Sequence, residues 1–141
     1  MISKWWRRKW DWQKPPFEVK TAPGGQRGFE MAFYESVVRR QADYWEVLAL
    51  LGNHYTAEKR YREGLAVDRR LAQLRPDDPL VFYNLACSYS LVGWIPSALK
   101  ALERSLALGY RDFKHMMRDR DLETLRKDKR FESLLSNYSR A

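Results

Sequence analysis

Apolar positions recur with a helical period through most of the chain. Phe29, Phe33 and Val37 line one stripe, with Tyr34 and Val38 beside it. Spacings of three and four residues place side chains on one face of a helix. The same rhythm predicts helices over about 43–57, 60–75, 79–92 and 95–108. The boundaries are punctuated. "RPDDP" stops the third helix; Asp78 is placed to cap the fourth, with Pro79 at its first position. Gly93 ends that helix, Pro96 falls in the first turn of the next, and Gly109 closes it. No run alternates with the period of two that a strand requires. The intervening loops are short, and short loops between amphipathic helices make antiparallel neighbours.

The pattern repeats. With an offset of 34 residues, Leu48 falls on Phe82, Leu51 on Leu85, Gly52 on Ala86 and Tyr55 on Tyr89. Gly64 falls on Ala98, Leu65 on Leu99 and Leu74 on Leu108. Small residues meet small ones and apolar residues meet apolar ones. The stretch "FYNLACSYSLVG" (82–93) is therefore one unit of a repeating wall, and most of its residues serve packing.

A 34-residue period with "LALLGNHY", Gly64 and Pro76 in one unit, and "FYNLACSY", Gly93 and Ala98 in the next, resembles the tetratricopeptide repeat family. The resemblance covers about 45–110, with repeats at 45–78 and 79–112. Gly64 stands where Ala is usual, Asp68 where an aromatic or apolar residue is usual, and Tyr110 where Pro is usual. Residues 29–42 fit a degenerate half repeat. Residues 113–141, with "DRDL" and the stripe Phe131, Leu134, Leu135 and Tyr138, are similar to the closing segment of bacterial tetratricopeptide proteins. Such a cap covers the apolar face left by the last repeat. The resemblance implies an all-α fold, a short right-handed superhelical solenoid of antiparallel helix pairs in 29–141. It also implies a concave groove that binds protein.

Composition changes this picture mainly at the N-terminus. Of the net charge of +8, residues 1–28 carry +5. Pro15-Pro16 and "APGGQRG" predict an extended arm there. Trp5, Trp6, Trp10 and Trp12 are interleaved with Arg7, Arg8 and Lys9. Trp with Arg is the composition of interface anchors, and it also suits an anionic membrane surface. Nucleic-acid binding by phosphate contact and stacking is the weaker third use. Alternatively, the arm covers its own solenoid.

The mean hydropathy is −0.65, and no apolar run nears the ~18 residues of a membrane helix. No secretory signal is read at the start. The single Cys excludes an internal disulfide and a Cys-based zinc site. These features fit a cytoplasmic protein, peripheral at a membrane or within a large complex.

Candidate chemistry is sparse. Cys87 falls at a groove position, but neither His is near it in sequence. His115, Asp119 and Asp121 have metal-like spacing, yet "DRDL" offers an N-cap for the helix that follows. No phosphate loop, nucleophile elbow or carboxylate pair is visible, so no enzyme, cofactor or metal is expected. The resemblance implies groove residues Asn53, Tyr83, Asn84, Cys87, Lys114 and Arg118. Family members that grip a peptide's terminal carboxylate use positions corresponding to Ala49, Asn53, Asn84, Lys114 and Arg118. All but Ala49 match, which implies an acidic or C-terminal peptide as partner. The expected function is a non-catalytic adaptor or assembly subunit. The alternative is a membrane-associated receptor anchored by the arm.

Overall fold

The computed structural model describes residues 26–41 and 43–140, and within them every regular element is helical. In chain order these are α1 (Gln26–Arg40), α2 (Trp45–Ala57), α3 (Tyr61–Leu74), α4 (Pro79–Leu91) and α5 (Ile95–Ala107). The closing segment holds α6 (Phe113–Arg118), a 3-10 turn (Arg120–Leu122), α7 (Glu123–Arg126) and α8 (Lys129–Ser139). The helical bounds follow the sequence pattern closely from Trp45 onward. At the N-terminal side they do not. The sequence predicts an extended arm through residue 28, yet α1 begins at Gln26 and runs through Gly28. One interior glycine costs a helix only about 1 kcal/mol. Burial of Met31 and Val38 in the core offsets that. The tryptophans and basic residues at 5–12 lie outside the described residues.

Local chemistry explains the helix ends. Asp78 Oδ1 accepts hydrogen bonds from the backbone N–H groups of Leu80 (3.0 Å) and Val81 (3.4 Å), and Pro79 follows at the first position. Asp112, Asp119 and Asp128 likewise cap α6, the 3-10 turn and α8. Gly93 at φ +80° and Gly109 at φ +112° turn the chain after α4 and α5, a region open to glycine without Cβ strain.

Consecutive helices pack on one another, α2 with α3 and α4 with α5 most extensively. The crossings are lined by the small residues that the 34-residue offset brings into register. A Cβ on Gly64 would lie 3.8 Å from the carbonyl oxygen of Gly52 and 3.4 Å from Thr56 Oγ1. Ala86 and Ala98, their counterparts, are fully buried. Two core clusters result. One joins α1, α2, α3 and the start of α4; the other joins Leu65 of α3 with α4, α5 and the closing segment, where Met116, Leu122, Leu125 and Phe131 are buried. Leu134, Leu135 and Tyr138 pack half-buried against the second cluster.

The two tyrosines equivalent by the 34-residue register, both expected to be largely buried, differ. Tyr55 is fully buried, whereas Tyr89 is half-buried. The reason is the neighbourhood. Tyr55 is covered from α1, where Glu35 accepts a hydrogen bond from its hydroxyl at 2.8 Å. Tyr89 instead lies along the exposed Trp94, ring centroids 6.1 Å apart. Among the described residues no helix is long and apolar enough to cross a membrane.

Candidate binding hollow

The faces of α2 and α4 open onto a hollow of about 460 Å³. Gly52, Asn53 and Thr56 reach it from α2, and Asn84, Cys87 and Ser88 from α4. Tyr83 and Tyr110 form an aromatic wall, stacked with centroids 4.4 Å apart and planes within 10°. His115, Asp119 and Asp121 close the far side.

The predicted groove residues divide. Asn53, Tyr83, Asn84 and Cys87 all line the hollow. Asn53 is exposed and Asn84 half-buried, so their amides are accessible; Tyr83 and Cys87 are buried. Lys114 and Arg118 do not line it and are exposed. α6 is only six residues long and turns its buried side, Met116, to the core. Residues two positions either side of Met116 then face away from the core. Ala49 packs against the core instead. The five carboxylate-gripping positions are therefore not brought together here.

The sign of the charge is also the reverse of that arrangement. The hollow is lined by Asp68, Asp119 and Asp121, and by no Lys or Arg among the described residues. A chain of net charge +8 thus holds an acidic island. Asp119 organises the far wall. Its Oδ1 caps the 3-10 turn by accepting from Asp121 N–H at 3.0 Å. Its Oδ2 accepts from the Tyr83 hydroxyl at 2.7 Å and lies 3.1 Å from His115 Nε2. The Cys87 thiol points at the same oxygen, 3.8 Å away. Burial and then the Asp119 charge push Asp121 above the usual carboxylate range, while His115 opposes this.

His115 and Cys87, 28 positions apart in sequence, thus share one hollow. Their order is wrong for thiol activation. A catalytic Cys needs the imidazole against its sulfur and the carboxylate behind the imidazole. Here both groups address the carboxylate. Burial first, then Asp119, push the Cys87 thiol well above its ordinary value, so the thiolate is scarce. Iodoacetamide at pH 8 is expected to modify Cys87 at least about tenfold more slowly than free cysteine. Mass spectrometry of timed samples measures this, and a rate equal to free cysteine would contradict the assignment. Cys87, Asp119 and Asp121 place three potential ligand atoms within 4.8 Å of one another. Both Asp119 oxygens, however, already serve the cap and Tyr83.

Asp68 forms the floor. The sequence marks it as a departure from the repeat pattern but not as a site residue. It is 7% exposed and accepts a short hydrogen bond from the Ser88 hydroxyl through Oδ2. Among the described residues no donor reaches Oδ1. Burial raises its pKa to about 7, with the Ser88 hydrogen bond working in the opposite direction.

The fold and the hollow define an all-helical protein with an open acidic concavity. No family model matches the chain, and no solved structure does. The chain is similar to a chloroplastic protein of Arabidopsis thaliana, with 35% identity over 107 residues. The match takes in 74% of this chain and 30% of that protein, so the chain spans under a third of its relative's length. The relative is thus a plant plastid protein. It lends no support to the cytoplasmic expectation or to a bacterial setting.

Proposed function

We propose that this chain is a non-catalytic protein-binding module of the tetratricopeptide type, an adaptor or assembly subunit that grips a partner peptide in the hollow. One observation carries the reading. Asn53 on α2 and Asn84 on α4 present accessible amides to a single open hollow between successive repeats. Side-chain amides on a concave helical surface suit the backbone of an extended segment, since each can donate and accept. The small residues at the α2–α3 and α4–α5 crossings and the 34-residue register support a solenoid of helix pairs. The buried, proton-holding Cys87 supports a role without catalysis. Residues 5–12, rich in Trp and Arg, would supply a second tethered contact. Two tethered contacts raise avidity without either being tight.

The test is affinity capture from the protein's own cells by the full chain and, in parallel, by Asn84→Trp. Asn84 lies on the hollow and off the core, so the indole fills the groove and leaves the fold intact. Circular dichroism should be unchanged. Proteins retained by the unchanged chain should be lost from the variant. An identical captured set from both would end the groove reading.

A further inference from the structure

We propose that the hollow receives a basic side chain of the partner peptide, an arginine by preference, paired with the open oxygen of Asp68. The inference rests on the peptide-groove reading and adds the chemistry of its ligand.

Asp68 is more than nine-tenths buried, and Ser88 engages only Oδ2. A carboxylate withdrawn from water is costly unless it is paired. Its other oxygen faces the hollow next to Gly52. A Cβ at position 52 would stand 3.2 Å from Oδ1, so glycine leaves that oxygen uncovered on the α2 side. Asp119 and Asp121 extend the negative field across the cavity, and no Lys or Arg lines it among the described residues. Of the other titratable groups lining it, Tyr83, Cys87 and Tyr110 carry no positive charge, and His115 is already directed at Asp119. The complementary ligand is therefore a cation.

The choice between lysine and arginine follows from the walls. Tyr110, half-buried and backed by the stacked ring of Tyr83, offers an aromatic surface beside the carboxylates. A guanidinium is planar, weakly hydrated and able to stack while it donates in a fork to a carboxylate. An ammonium is held more strongly by water. The volume of about 460 Å³ lies within the ~300–1,000 Å³ range of small-ligand clefts, enough for one long side chain with its flanking backbone.

The experiment uses the isotopically labelled full chain and amide resonance shifts. The first probes are N-acetyl-arginine amide and its neutral isostere, N-acetyl-citrulline amide. The arginine derivative should shift the amides of Gly52, Asp68 and Ser88; citrulline should not. Asp68→Asn should weaken arginine binding about tenfold or more while the spectrum stays dispersed. Equal response to citrulline, or undiminished binding by Asp68→Asn, overturns the proposal. An array of short peptides separates it from the underlying reading. Hollow binding with no preference for basic residues sinks the arginine assignment and leaves the peptide groove standing; no binding by any peptide sinks both. An arginine derivative that binds more tightly than any arginine-containing peptide would make the ligand a small molecule and overturn the assignment. So would tighter binding by a chain carrying Arg7→Gln, Arg8→Gln and Lys9→Gln, since the chain's own basic segment would then be the occupant.

Discussion

Asp68→Asn is expected to stabilise the free protein by up to about 4 kcal/mol at pH 8 and by almost nothing at pH 4. The group's ordinary value is 3.8, and burial raises it to about 7 in the folded chain. Each pKa unit corresponds to ~1.4 kcal/mol of preference between the two protonation states. Because the folded value is the higher one, the folded state binds more protons between those limits. Stability from this site is therefore complete below pH ~4 and is lost as the pH rises through about 7. Asparagine accepts from Ser88 with its carbonyl oxygen and never acquires the charge. The groups facing Asp68 are Ser88 and Cys87 from α4 and Gly52 from α2, with Asp119 and Asp121 across the hollow. No Lys or Arg lines the hollow among the described residues, and His115 there is directed at Asp119. Urea unfolding of both proteins at intervals from pH 4 to 8 measures the difference. Curves that stay parallel across that range would mean Asp68 is not desolvated as described. A carboxylate that destabilises its own fold at neutral pH is the kind of feature retained at sites whose work lies in binding.

The second large effect is at Tyr55. Tyr55→Ala should cost ~3–5 kcal/mol, as removal of a fully buried aromatic ring does. Tyr89→Ala should cost roughly half of that, because Tyr89 is only partly withdrawn from solvent and shares its face with Trp94. Tyr55 does more than fill space. Its hydroxyl donates to Glu35, itself 7% exposed, at 2.8 Å, and ties α2 to α1. The Arg60 guanidinium lies 4.7 Å from the ring centroid and 4.0 Å from the Glu35 carboxylate. Tyr55→Phe keeps the ring and takes one donor from Glu35, which should cost ~1–3 kcal/mol. Denaturant midpoints of the three variants give the order. Equal losses at Tyr55 and Tyr89 would show that α1 does not cover Tyr55.

Much of the architecture is legible in the chain because it rests on local rules. The apolar stripes, the caps at Asp78 and Asp119, and Gly93 and Gly109 act within a few residues of themselves. The 34-residue register can be read as well, since Gly52 with Gly64 and Ala86 with Ala98 must be small wherever two helices cross closely. The start of α1 escapes the pattern for the opposite reason. Gly28 weakens a helix locally, and only burial of Met31 and Val38 in a core built with distant segments overrides it. The difference between Tyr55 and Tyr89 has the same origin. Their own repeats treat them alike, but their neighbours do not.

For the candidate site the balance shifts. The family resemblance implies one surface holding Asn53, Tyr83, Asn84 and Cys87, and all four line the hollow. It also draws Lys114 and Arg118 into that surface, because a helix continued in register would carry them there. α6 stops after six residues, and Met116 takes its inward face, so the two cations turn out to solvent. Carboxylates from α3 and from the closing segment line the hollow instead. Helical order, repeat length and capping were set by the sequence itself, because they depend on contacts between near neighbours and on a fixed period. The sign of the hollow, the burial of Asp68 beneath Gly52, and the meeting of Cys87 with His115 at Asp119 were decided only by the tertiary structure. They depend on which distant segments of the chain pack together, and no local pattern encodes that pairing.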